Sequence, residues 1–292
     1  MTSRFEKTIN ESIRKTIHRF RLRPLSCFTE SDLHSSLQRD LLINNSKHFY
    51  FDNKVSLVHH EYPTNFRYKK ADLLKGYKYD SIKPENHPTS FNSNKYRGRG
   101  HYDLAILNPK FVRESLDINN DIIDIKSVVN KDNELLKKRY NESDYGLAKI
   151  QKEVLYAFEF KFIHHFNSGH CSMLKEVITD NEKLKLALYH SGHFIKPVNL
   201  IFCAAPIEEE TENIQSVIGK VRDYIKTGKI DLDYTDIKEE KSIPEGVANI
   251  FVQSYYVKEK KDTPKAIIFC RNPQKWVYNL AKQLGLDLIK GE

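Results

Sequence analysis

Apolar residues recur along this chain with two periods. Near the start, Phe5, Ile9, Ile13 and Ile17 repeat at about one helical turn within an otherwise charged segment. The spacing predicts a basic amphipathic helix. Arg23-Pro24 breaks it. Leu33, Leu37, Leu41 and Leu42 then hold near-helical spacing over 28–42, with Thr29 as a natural N-cap and Asp32 three residues on. Beyond that point the period changes to two. VSLVHHEYP (55–63) predicts a strand ended by its proline, HYDLAILNP (101–109) a second strand, and LYAFEFKFI (155–163) a third. In the third, Phe158, Phe160 and Phe162 share one face, and Glu159 and Lys161 share the other. A helix over about 173–190, stopped at Ser191-Gly192, leads into the apolar strand 198–205. A helix near 212–227, an acidic polar stretch, strands near 247–256 and 266–270, and a closing helix over 273–284 complete the pattern. Residues 64–100 read as an irregular basic loop, and 110–154 as a long polar insertion, helical in parts.

The predicted order is helix, strand, strand, strand, helix, strand. Adjoining hairpin strands and one crossover place antiparallel and parallel neighbours in a single mixed sheet flanked by helices. The expected organisation is a basic N-terminal segment (1–27), an α/β core (28–205, interrupted by the insertion) and a mixed α/β extension (206–292) packed on the same sheet. No internal repeat is evident.

Composition narrows the class. The chain has 292 residues, 39% of them hydrophobic, including 16 Tyr and 16 Phe, which is enough for a folded core. No apolar run reaches the roughly 18 residues of a membrane span, and the N-terminus lacks the apolar stretch of a secretory signal. The four cysteines lie far apart without a CxxC pair, so neither a zinc nor an iron–sulfur site is expected. A reduced, cytoplasmic protein with no membrane partner follows as the expectation. The net charge of +8 is unevenly placed. Residues 1–25 carry seven Lys/Arg against two Glu, and 66–100 carry nine Lys/Arg against three acids, whereas IEEETEN (207–213) is acidic. Two basic segments suit a polyanion such as nucleic acid.

The charged pair in the aromatic strand calls for an explanation, because an ionised carboxylate inside a sheet is costly without partners. HYDLAILN carries one acid, Asp103, and is entered through Arg97-Gly-Arg-Gly100. On the neighbouring strand to LYAFEFKFI, Asp103 lies close to Glu159, with Lys161 alongside. Two such carboxylates repel unless a cation lies between them. Oxygen donors of this kind suit Mg²⁺, with Mn²⁺ as a substitute. An amine at that edge orients a water or neutralises charge building on a phosphate.

Asp103 followed by Glu159-Phe160-Lys161, across this element order, resembles the PD-(D/E)xK nuclease superfamily, the restriction-endonuclease-like fold, over roughly 28–205. The resemblance implies Mg²⁺-dependent hydrolysis of DNA, with Asp103 and Glu159 on the metal and Lys161 assisting the nucleophilic water. It implies a further acid from the first core helix, Glu30, for which Asp32 is a substitute, and assigns Glu61 to the metal's outer surroundings. Lys183 and Lys185 on the following helix would face the DNA backbone. Arg97, Arg99 and His101 are the expected phosphate contacts. Cutting both strands would call for a homodimer. Tyr102 stands where the motif's name has proline. Asp124-Ile-Lys126 also spells the motif, inside the 56-residue gap between Asp103 and Glu159, and is the rival site. The histidine pairs 59/60 and 164/165 read as strand-edge residues. The alternative function is a nuclease-fold protein that binds nucleic acid or a protein partner without cutting.

Overall fold

The computed structural model describes residues 4–27, 29–44, 49–51, 55–67, 99–112, 152–164, 170–205, 220–234, 237–255 and 266–291. The chain is α/β. Its elements are helix α1 (Arg4–Leu22), α2 (Glu30–Asn44), a short antiparallel pair β1 (Tyr50–Phe51) and β2 (Val55–Ser56), and strands β3 (Val58–Arg67), β4 (Arg99–Leu107) and β5 (Val154–His164). Helix α3 (His170–His190) crosses over to β6 (Lys196–Ala205). Helix α4 (220–227) precedes a hairpin of β7 (Lys229–Tyr234) and β8 (Ile237–Ser242). Strands β9 (Ala248–Tyr255) and β10 (Ala266–Arg271), helix α5 (Lys275–Leu284) and strand β11 (Leu288–Gly291) close the fold.

Among the described residues, seven strands form one mixed sheet in the order β11-β10-β9-β6-β5-β4-β3. β3, β4 and β5 are antiparallel neighbours, whereas β5, β6 and β9 run parallel. The order α2-β3-β4-β5-α3-β6 expected from the periodicity is present, and β9, β10 and β11 continue the sheet beyond β6.

Strand alternation decides what each face holds. Phe158, Phe160 and Phe162 of β5, Val198, Leu200 and Phe202 of β6, and Ile250 and Val252 of β9 pack with Ile9, Ile13, Ile17 and Phe20 of α1, Leu33, Leu37 and Leu41 of α2, and Val277 and Leu280 of α5. On the other face Ile163, Ile201, Cys203 and Phe251 meet Leu174, Val177 and Ile178 of α3 and Val221, Tyr224 and Ile225 of α4. Both faces of β6 and β9 are covered, and their residues are buried on either side. Cys203 and Cys270 are buried free thiols.

Three elements depart from the expectation. β3 passes through Pro63 and ends at Arg67; it is an edge strand, the place in a sheet where proline is tolerated. The acidic polar stretch, to which the sequence pattern assigns no element, contains the β7–β8 hairpin, which pairs Lys229 with Ser242 through to Tyr234 with Ile237. The four-residue strand β11 pairs in parallel with β10. Of the predicted helix 212–227, residues 220–227 are described and helical. Most of the basic loop and of the insertion, Asp124 and Lys126 among them, lies outside the described residues. No described helix is long and apolar enough to cross a membrane.

Candidate active site

The β4–β5 ladder stops short. Its pairs run from Leu107 with Val154 to Leu104 with Phe158. One residue beyond, Asp103 Oδ2 accepts the Phe160 N–H at 2.7 Å. Glu30 Oε1, from the first turn of α2, accepts the Phe162 N–H at 3.4 Å. Carboxylates from β4 and α2 thus replace main-chain partners along that side of β5, and the two strands part there. Alternation breaks at the same residue, since Tyr102 packs with Leu184 and Ala187 of α3 whereas Leu104 packs with Phe158 on the opposite face. Across β3, His60 pairs with Leu104 and Tyr62 with Tyr102, which sets Glu61 opposite Asp103. Glu61 is exposed and has a φ of 49°. A left-handed non-glycine residue inside a strand is a strained geometry of the kind that gathers at functional sites.

Below α3 the acid–amine pair of β5 finds its partners. Lys161 Nζ lies 3.0 Å from Glu30 Oε1, 3.0 Å from Glu176 Oε2 and 3.6 Å from Asp180 Oδ2. Lys183 Nζ pairs with Glu159 Oε2, donates to the main-chain carbonyl of His101 at 3.0 Å, and lies 3.9 Å from Asp180 Oδ1. Glu176, Asp180 and Lys183 recur at one-turn intervals on α3, so one side of the helix is a polar stripe laid over β5. Glu159, Glu30, Glu176 and Asp180 supply four carboxyl groups to two lysines, and Asp103 on the Phe160 N–H adds a fifth acid to the cluster.

Burial shapes their titration. Glu159 is 1% exposed. Its burial pushes its pKa well up, against the pull of Lys183 and with a further push from Asp103 and Asp180. Burial likewise raises Asp180 from 3.8 to about 6, opposed by Lys183 and Lys161. For Lys161 burial acts downward, but Asp180, Glu30 and Glu176 together lift its pKa above the ordinary lysine value. Lys161 is therefore a fixed cation at any physiological pH. Beside Asp103, the rings of His34 and His60 lie 3.9 Å apart, with His60 Nε2 2.6 Å from His34 Nδ1. Burial and then the His60 ring hold the His34 pKa below its usual value, against Asp103, Glu61 and Asp32.

The sequence-predicted residues divide into those brought together and those not. Asp103, Glu159, Lys161 and Glu30 converge. Asp32 is engaged in capping α2, accepting the Thr29 N–H at 2.9 Å and donating its own N–H to Thr29 Oγ1 at 3.3 Å. Lys183, expected on a DNA-facing surface, is 7% exposed and belongs to the acid cluster. Lys185 is the outward lysine, 41% exposed and paired with Glu182 at 3.4 Å. His101 presents its side chain to solvent and its carbonyl to Lys183. Arg97 lies outside the described residues, and Arg99 is described only as backbone in β4. The sequence reading missed Glu176 and Asp180; their signal was the 176/180/183 spacing on a helix that follows a charged strand.

The donor set is all carboxylate oxygen, with Glu159 Oε1 lacking a hydrogen-bond partner among the described residues, and oxygen donors of this kind are what a hard divalent cation takes. Among the described residues no group of three or more His, Cys, Asp or Glu side chains is placed so that it could hold a metal ion. No family model, no curated protein and no solved structure matches this chain.

Proposed function

We propose that the chain is a Mg²⁺-dependent nuclease of the PD-(D/E)xK, restriction-endonuclease-like type that hydrolyses DNA phosphodiesters. One observation carries the reading: Asp103 and Glu159 lie within reach of each other's charge where the β4–β5 pairing ends, near a buried cationic Lys161, in a cluster with more carboxylates than lysines. Asp103, held by the Phe160 N–H, and Glu159 would hold the ion, with Glu30 nearby. A divalent ion there supplies Lewis acidity toward the phosphate and lowers the pKa of a bound water. Lys161 contributes a fixed positive charge that orients the attacking water and offsets charge on the phosphoryl oxygens. Its raised pKa rules out a role as general base near neutrality. Lys183, now paired with Glu159, is the cation that a divalent ion has to displace or share with. The two basic segments of the sequence suit the polyanionic substrate.

The test is cleavage of plasmid and linear DNA with Mg²⁺ and with chelator, for wild type, Asp103→Asn and Lys161→Met. Metal-dependent cutting by the wild type alone is expected. An inert wild type, or variants that cut as well, ends the proposal. The Lys183–Glu159 pair favours a second reading, in which the acids are already neutralised and the fold binds nucleic acid or a protein partner without cutting. Salt-sensitive DNA binding with no hydrolysis would select it.

A further inference from the structure

Behind Glu159 the sheet carries a polar row that the chemistry above does not use. Glu159 of β5 is in register with Asn199 of β6, and Asn199 with Asn249 of β9. All three point to the α3 face and are at most 1% exposed. The rows to either side are not built this way: Ala157 faces Pro197, and Lys161 faces Ile201 and then Phe251. At its far end the row meets Phe269 of β10.

Four polar groups in this row have no hydrogen-bond partner among the described residues: Glu159 Oε1, both amide atoms of Asn199, and Asn249 Oδ1. Asn249 Nδ2 makes one long bond of 3.4 Å, to the Val247 carbonyl, which leaves its second N–H to give. Each unpaired buried group costs about 1–3 kcal/mol, so leucines would be the cheaper filling if the row only packed α3. Parallel in-register strands stand roughly 4.8 Å apart. At that spacing stacked asparagines pass amide hydrogen bonds from strand to strand, as in the ladders of cross-β assemblies. The terminal amide torsion is soft, so a turn about it aligns the donors.

We propose that Asn199 and Asn249 are positioning residues for Glu159: Asn249 donates to Asn199 Oδ1, and Asn199 donates through Nδ2 to Glu159 Oε1. The ladder fixes the carboxyl in one orientation and commits Oε2, the oxygen now on Lys183, to the cation. The role of that oxygen rests on the nuclease reading; the ladder itself does not.

Two measurements separate them. The first follows the side-chain amide resonances of ¹⁵N-labelled protein, assigned by their loss in Asn199→Leu and Asn249→Leu. Slow exchange of both amides is expected, together with a shift of the Asn199 amide in Glu159→Gln. Rapid exchange, or an Asn199 amide unmoved by Glu159→Gln, overturns the ladder whether or not the protein cuts DNA. The second is calorimetric Mn²⁺ binding without DNA. Asn199→Leu should weaken affinity by about tenfold, the usual effect of removing a group that orients a metal ligand, with an unchanged or raised melting temperature. Asn249→Leu should weaken it by a smaller factor, and serves alone if Asn199→Leu does not fold. Wild-type affinity in the folded variants refutes the positioning role. A wild type that binds no Mn²⁺ refutes the ion reading and leaves the ladder to the amide resonances.

Discussion

Asp180→Asn isolates one charge at the centre of the cluster. The replacement is isosteric and neutral, at a side chain 14% exposed that lies 3.6 Å from the Lys161 amine and 3.9 Å from that of Lys183. Burial raises the Asp180 pKa from 3.8 to about 6. The folded protein thus holds a proton that the unfolded chain releases in this interval, and stability falls as pH rises through it. The stabilising contribution is complete below the unfolded pKa and gone above the folded one. A shift of this size corresponds to on the order of 3 kcal/mol at 1.36 kcal/mol per unit. Lys161 stays charged throughout, and the pull of both lysines on the ionised carboxylate is already contained in the Asp180 value. Urea unfolding of wild type and Asp180→Asn at pH 4, 5, 6 and 7 gives the answer. The difference in unfolding free energy should move in the variant's favour by about 2–3 kcal/mol between pH 4 and 6 and level off above. At roughly 2–4 °C per kcal/mol, this is a relative gain of about 5–10 °C in melting temperature. A difference that is flat from pH 4 to 7, or that moves the other way, refutes the reasoning.

Other substitutions probe the neighbouring contacts. Asp103→Asn keeps an oxygen for the Phe160 N–H and should fold with less than about 1 kcal/mol of loss, whereas Asp103→Leu orphans that N–H and should cost about 1–3 kcal/mol in denaturant unfolding. Lys161→Met leaves Glu30, Glu176 and Asp180 facing one another; because Glu30 and Glu176 are 38% and 36% exposed, solvent screening limits the loss to about 1–2 kcal/mol. That loss should shrink as the pH falls through about 6 and Asp180 takes up its proton. Gly228 has a φ of +73°, and a Cβ there would run into the Phe269 ring, so Gly228→Ala should lower stability by about 1–3 kcal/mol in the same assay.

The parts of the fold written in period were legible. Leucines at helical spacing after Thr29 gave α2, and the capping exchange between Thr29 and Asp32 is present as its spacing suggests. The phenylalanines of β5 face the α1–α2 side and the charges face α3, because strand alternation admits no other arrangement. Proline misled at residue 63, since its cost in a sheet depends on whether the strand lies at an edge, which local sequence does not reveal. Charge hid the hairpin in KIDLDY and IKEEKS, where polar residues at most positions leave little strand signal. At the site, Asp103, Glu159 and Lys161 were visible as acids and an amine set into apolar strands. Glu176 and Asp180 were not, because a charged helix face ordinarily meets water. Only the packing of α3 over β5 turns that face inward, and the same packing buries Lys183.

Anomalous diffraction from crystals soaked in Mn²⁺ tests the central claim most directly, because it locates the ion without reference to activity. The account predicts a peak about 2.1 Å from carboxylate oxygens of both Asp103 and Glu159, with the Lys183 amine moved off Glu159. A map with no peak there and the Lys183–Glu159 pair intact, or with manganese held only by other residues, would contradict it.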